Sequence, residues 1–394
     1  MIRSHPSTRQ AYSHMFQSRI LILITLVFGL LSPTFAQESD KPAWKYAPEL
    51  LRPFWLGEVV EGESVLFIKD DATGEARASV LFSIRDVLAV RNSAGDVTYE
   101  RGTDFVWKPE SREIVLPAGS RIPSRTPQQL RRPAKSQKYE LTHRDGNGEI
   151  FFGGQLEYAE MQTCITYRHA PGLWKSPVPK FDPKRLPRSV ARLVDRQPLS
   201  IVTLGDSISA GANASALYDA APHQPAYPEL VRRQLAERFR GPVEMTNLAV
   251  GGTDTGWGLT QIDKVVAAQP HLVILAFGMN DSAGRSPQSY QEVTKNMIAK
   301  IREKLPECEF ILVASMLGNR DWVRLKHEAF PQYRDALQEL VEPGVALADL
   351  TSIWAGFLEL KQDWDQTGNG VNHPNDFGHR VYAQVITTLL DPRE

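Results

Sequence analysis

The chain has 394 residues, 42% apolar and 23% charged, and its 45 basic and 46 acidic side chains leave a formal charge of −1. This is ordinary globular composition, long enough for about two to three domains, and it excludes nucleic-acid binding through bulk charge. The only cysteines, Cys164 and Cys308, exclude a zinc knuckle or a dense disulfide framework; two unrelated buried thiols fit better than one bridge.

Arg3, Arg9 and Arg19 precede an apolar run over 20–31, and Ser32-Pro33-Thr34-Phe35-Ala36 follows it. Basic, apolar, then small residues is the order of a secretory signal peptide over 1–36, cleaved after Ala36, with Met15 an alternative start. The run has about 12 residues against the roughly 18–20 that span a bilayer. No stable membrane insertion is therefore expected after cleavage, and the predicted destination is secreted or periplasmic. Losing 1–36 removes three arginines and no acid, which leaves a mildly acidic mature chain.

Residues 37–170 read as short strands at 64–68, 78–82, 86–90, 113–116 and 161–167, rich in β-branched and aromatic residues and separated by turns such as Thr73-Gly74 and Asp145-Gly146. The spacing predicts an all-β sandwich, jelly-roll-like, with 121–138 as a long loop. Residues 171–198 hold Pro171, Pro177, Pro179, Pro183, Pro187 and Pro198 and read as an extended connector at a domain boundary.

From 199 to 394 the pattern alternates. Strands are predicted at 200–204, 243–247, 272–276, 310–314 and 345–349. Helices are predicted at 227–239, 259–268, 289–305, 333–341 and 378–390. Continuous apolar strands between amphipathic helices mean an α/β fold, a parallel sheet covered on both faces. Chemistry on such sheets sits beyond the carboxyl ends of the strands.

Four short motifs fall there: Gly205-Asp206-Ser207, Asn247-Leu248-Ala249-Val250-Gly251-Gly252, Gly278-Met279-Asn280-Asp281 and Asn372-His373-Pro374. Each alone reads as turn chemistry. Together, in this order, they resemble the four blocks of the SGNH, or GDSL-type, esterase superfamily, over about half the chain. The resemblance implies a flavodoxin-like three-layer α/β/α domain with Ser207 as nucleophile and His373 as base. It also implies an oxyanion hole from the Ser207 amide, the Gly252 amide and the Asn280 side chain. Ala249 stands where the family carries glycine.

The residue types suit that chemistry. A serine hydroxyl needs a base to take its proton, and an imidazole can do so. Gly252 lets its N–H approach closely, and Asn280 offers donors without a charge. Asp206 and Asp281 read as scaffold residues that accept backbone hydrogen bonds.

One element of the pattern is missing. The family places an aspartate three residues before the histidine, and here that residue is Gly370. Asp365, Asp363, Asp376 or a backbone carbonyl compete to orient His373. Asp365 is the foremost side-chain candidate, and Asp376 also reads as a first-turn helix residue. The resemblance favours a carbonyl, because some carbohydrate esterases of the superfamily use a serine–histidine dyad assisted in that way. Those enzymes also join an N-terminal jelly roll to a C-terminal hydrolase domain.

No His-x-x-x-His pair or Cys/His cluster occurs, and Gly251 to Gly258 lacks the Lys-Ser/Thr ending of a phosphate loop, so no metal or other cofactor is expected. Trp257, Met316, Arg320 and Trp322 follow strand ends and are candidate pocket residues. The expected function is an exported serine esterase acting on small acyl esters, with acetylated carbohydrate as the expected partner by analogy. A lipase, lysophospholipase or aryl esterase, and an inactive carbohydrate-binding protein, are the alternatives.

Overall fold

The computed structural model describes residues 44–393. The expected signal peptide over 1–36 lies outside them. The described residues lie within one compact unit.

The first part of the unit is strand-rich. Its strands are β1 (Val59–Val65), β2 (Phe67–Lys69), β3 (Ala76–Ser79), β4 (Asp86–Asn92), β5 (Val106–Trp107), β6 (Glu113–Leu116), β7 (Ser124–Arg125), β8 (Arg131–Arg132), β9 (Glu149–Ile150) and β10 (Thr163–Arg168). They form a three-stranded antiparallel sheet ordered β1-β10-β4, a five-stranded sheet ordered β5-β6-β3-β2-β7, and the pair β8-β9. Apolar side chains from both larger sheets, among them Val60, Ile165 and Tyr167 from one and Phe67, Ile114 and Leu116 from the other, enter one core. The short pairings β5, β7, β8 and β9 carry no alternation long enough to read from sequence.

The connector holds the helix α1 (Pro187–Val194), where an extended chain was expected. Pro187 opens it, as proline at the first helical position costs no hydrogen bond. Trp174 of the same segment packs edge-on against Phe54 with ring centres 4.9 Å apart.

Next come β11 (Leu199–Gly205), α2 (Ser207–Ala210), α3 (Tyr227–Phe239), β12 (Val243–Asn247), α4 (Thr255–Leu259), α5 (Ile262–Ala267), β13 (Leu272–Ala276), α6 (Pro287–Lys304), β14 (Glu309–Ala314), α7 (Ala329–Gln338), β15 (Val345–Asp349), α8 (Leu350–Leu360) and α9 (Asp376–Thr388). The five strands are all parallel and ordered β12-β11-β13-β14-β15. This is the flavodoxin-like arrangement, whose switch point lies beside the end of the first strand.

Alternate residues of each strand face opposite layers. Ile201, Ile274, Ile311 and Ala346 pack with α3, α8 and α9, while Val202, Val273, Leu312 and Val345 pack with α5, α6 and α7. α8 was not expected, although its buried Leu350, Ile353, Trp354 and Phe357 recur at helical spacing and Ala355 and Glu359 are exposed.

The two parts share a core. Val60, Tyr167 and Phe67 belong to the same apolar cluster as Phe357, Val381 and Ile201. A buried ion pair, Glu63 with Lys361, crosses between them, and Tyr167 Oη donates to Glu63 Oε2 at 2.7 Å.

Candidate active site

β11 ends at Gly205, where a side chain has no room: a Cβ would lie 2.5 Å from Ser209 Oγ and 2.6 Å from Ala276 O. The chain then turns into α2, capped by Asp206, whose Oδ1 accepts from Ile208 N at 3.0 Å. Capping of this kind satisfies an amide that the helix leaves unpaired. Ser207 is thereby set at the first helical position, beyond the sheet edge. Burial, aided by Asp281, pushes Asp206 up to about 7.

From the far end of the sequence, His373 arrives just before α9. Its Nε2 lies 2.9 Å from Ser207 Oγ. A hydroxyl bonded to an imidazole nitrogen is the geometry of a serine activated by a base. Burial, with the neighbouring His379, holds His373 down to about 4, so the ring is neutral at ordinary pH. His379 itself is in the core, stacked on Tyr227, and its Nε2 meets Ala212 O at 3.1 Å.

The loop after β12 returns to Ser207: Val250 N donates to Gly205 O, and a Cβ on Gly251 would sit 3.7 Å from Ser207 Cβ. Gly252 follows at φ +78°, a conformation that favours glycine. Asn280 Nδ2 donates one hydrogen to Thr253 O at 2.8 Å and keeps a second. Among the described residues, the Ser207 and Gly252 amides have no acceptor. Gly251 and Gly252 lie at the surface. Asp281 is a scaffold residue: its carboxylate accepts from Thr255 N at 3.2 Å and from Arg285 Nε at 2.5 Å.

The structure therefore brings Ser207 and His373 together and sets Gly252 and Asn280 on one loop system beside them. Asp365 is not with them, which corrects the expectation that it is the foremost side chain to orient the histidine. Its carboxylate accepts from Leu66 N at 2.9 Å and from Gln362 N at 3.1 Å, tying down the start of its own loop. Burial raises Asp365, and Lys361 offsets part of that. Asp363 pairs with Arg320 at 2.9 Å, and Asp376 accepts from Ser215 N at 2.9 Å in the first turn of α9. Among the described residues, no backbone carbonyl hydrogen-bonds the ring either.

The partner of His373 Nδ1 is the Oδ1 of Asn213, at 2.9 Å, with Asn369 Nδ2 on the same nitrogen at 3.0 Å. Neither asparagine was singled out from the sequence. Asn213 sits at φ +64°, a left-handed turn that asparagine tolerates, and the segment Gly211-Ala212-Asn213 signals only that turn. Of the other candidates, Met316 is buried with its amide on Tyr382 Oη, and Trp257 packs on Phe277. Arg320 is taken by Asp363, and Trp322 Nε1 donates to Glu140 O. Cys164 and Cys308 are both free thiols.

Residues 203–381 match the model of the GDSL-like lipase/acylhydrolase family. This part of the chain is similar to GDSL-like lipases and acylhydrolases. Among solved structures, the chain is similar to a two-domain esterase (CEX) active on acetylated mannans, with 21% identity and a TM-score of 0.42. That match covers 54% of this chain and 54% of the other, so it spans about half the length of that esterase. The chain is also similar to the lipase Lip_vut3 from a goat rumen metagenome, with 16% identity, 48% of this chain, 96% of the other and a TM-score of 0.40. An acetyl xylan esterase, AlAXEase, is similar at 20% identity over 48% of this chain and 98% of the other, with a TM-score of 0.38. No curated protein matches the chain. In the matched part, the four motifs that carry Ser207, Gly252, Asn280 and His373 stand at one end of the sheet.

Proposed function

We propose that this protein is an exported serine esterase that removes small acyl groups, acetyl above all, from carbohydrate. One observation carries the chemistry: Ser207 Oγ lies 2.9 Å from His373 Nε2 beside two amides free to donate. Ser207 attacks the ester carbonyl as its proton passes to Nε2, and the imidazolium returns that proton to the leaving alcohol. Water then repeats the sequence on the acyl-serine. The negative charge on the carbonyl oxygen falls to the Ser207 and Gly252 amides and Asn280 Nδ2, at about 3–4 kcal/mol for each well-placed donor. Export is supported by the leader at 1–36, and the carbohydrate by that export together with the strand-rich partner. The exposed Gly251-Gly252 edge leaves room for a bulky alcohol such as a sugar.

The test is direct. A fluorophosphonate should label Ser207, and His373→Ala should slow that labelling. Acetate release from a panel of acetylated glycans then names the substrate. A preference for p-nitrophenyl esters with acyl chains of about eight carbons or more would instead assign a lipase, since each buried methylene adds roughly 0.8 kcal/mol in an apolar acyl pocket.

A further inference from the structure

The imidazole of His373 stands between two side-chain amides that make opposite demands on it. Nδ1 is 2.9 Å from Asn213 Oδ1 and 3.0 Å from Asn369 Nδ2. If Nδ1 carries the ring proton it donates to Asn213, and the Nε2 lone pair is free for the serine proton. If Nδ1 is bare it accepts from Asn369, and Nε2–H points at Ser207 Oγ and cannot act as a base. A histidine's second nitrogen thus decides what the first can do.

Both amides are held against flipping. Asn213 Nδ2 donates to Gln155 O at 2.7 Å and to Gly368 O at 3.0 Å; a flipped amide would set its oxygen against two carbonyls. Asn369 Oδ1 accepts from Val371 N at 2.8 Å and Asn372 N at 3.0 Å, which fixes its Nδ2 toward the ring. The two are not equal, however. Asn369 Nδ2 has a second acceptor in Asn372 Oδ1 at 3.1 Å and loses little when Nδ1 is protonated. Asn213 is buried, and among the described residues its Oδ1 has no donor other than Nδ1. A bare Nδ1 would leave that oxygen unpaired, and buried unpaired acceptors are disfavoured.

We propose that Asn213 is the positioning residue of the site, an uncharged acceptor that fixes the proton of His373 on Nδ1 and so leaves Nε2 to receive the proton of Ser207. It occupies the role an acid fills in a serine triad. The amide is aimed by the carbonyl of Gln155, so the strand-rich part of the chain takes part in preparing the base. The inference rests on the serine-esterase reading above.

Three measurements test it. Nitrogen-15 NMR of histidine-labelled protein at pH 7, where the ring is neutral, should find the ring proton of His373 on Nδ1. Asn213→Leu should move it to Nε2, with the bare Nδ1 accepting from Asn369 Nδ2, and lower kcat by about 100-fold or more with KM within about 3-fold. Adding Asn369→Asp to that variant places a carboxylate acceptor on Nδ1 and should recover at least about 10-fold of the loss, which a purely structural role for Asn213 would not produce. A ring proton on Nε2 in the parent protein overturns the proposal whether or not the variant folds, and so does a folded Asn213→Leu with parental kcat. A folded parent that takes up no fluorophosphonate at Ser207 overturns the esterase reading instead.

Discussion

Asn375 Nδ2 donates to Gln162 Oε1 at 2.9 Å, and this bond joins the residue just before β10 to the residue that caps α9. Gln162 Nε2 in turn meets the carbonyls of Trp364, Asp365 and Thr367 at 2.8, 3.2 and 2.9 Å. The loop that ends in His373 is thus held by a side chain far away in sequence. Gln162→Leu would leave the Trp364 and Thr367 carbonyls without their donor and Asn375 Nδ2 without Gln162 Oε1, while Asp365 O keeps Asn375 Nδ2 at 3.2 Å. We expect a loss of about 3 kcal/mol, from roughly 1 kcal/mol per lost bond, read by urea denaturation. kcat for p-nitrophenyl acetate should fall with it, by about 10-fold, as the imidazole loses its fixed place.

The acid limb of activity should lie unusually low. His373 is held down to about 4 by burial and by His379. The base works only when neutral, so kcat/KM should stay flat from neutrality down to about pH 5 and reach half its plateau near pH 4. Asp206, next to Ser207 and pushed up by burial to about 7, is one competing titration, beside Asp376, raised to about 6, and His379, held down to about 4. Asp206→Asn keeps an oxygen for the Ile208 amide and should leave the limb where it is. A limb near pH 6.5 in the parent would contradict the burial argument.

The Glu63–Lys361 pair is fully buried. Lys361→Met leaves the carboxylate to Leu81 N and Tyr167 Oη alone, and should cost about 3–5 kcal/mol. The double variant Glu63→Gln/Lys361→Met should recover more than half of that. Thermal melts of the two singles and the double give the coupling.

Asn280→Ala removes a donor beside Ser207 and frees Thr253 O. kcat should drop by about 100- to 1,000-fold, KM should barely change, and labelling of Ser207 by a fluorophosphonate should slow in step.

Much of this was readable from the residues. β11, β13 and β14 were legible because strands buried on both faces are runs of Leu, Ile and Val, and that rule also pointed to the ends of β11 and β13, where Ser207 and Asn280 stand. Asp365 misled because spacing along a loop says nothing of the direction in which a carboxylate points. Here it points back to Leu66 N, a partner 299 positions away in sequence. Asn213 was invisible for the same kind of reason. Its value depends on the carbonyls of Gln155 and Gly368, and a main-chain group carries no letter. α8 did carry a signal, Leu350, Ile353, Trp354 and Phe357 at helical spacing, and was passed over.

The hold on Asn213 has a corollary for how this chain can drift. Position 155 contributes a peptide oxygen, at φ +50°, and its side chain takes no part in the grip. Homologues are then under no pressure to keep glutamine there. They need only a residue content with a left-handed backbone, so a saturation library at 155 should rank glycine and asparagine first and valine, isoleucine and proline last.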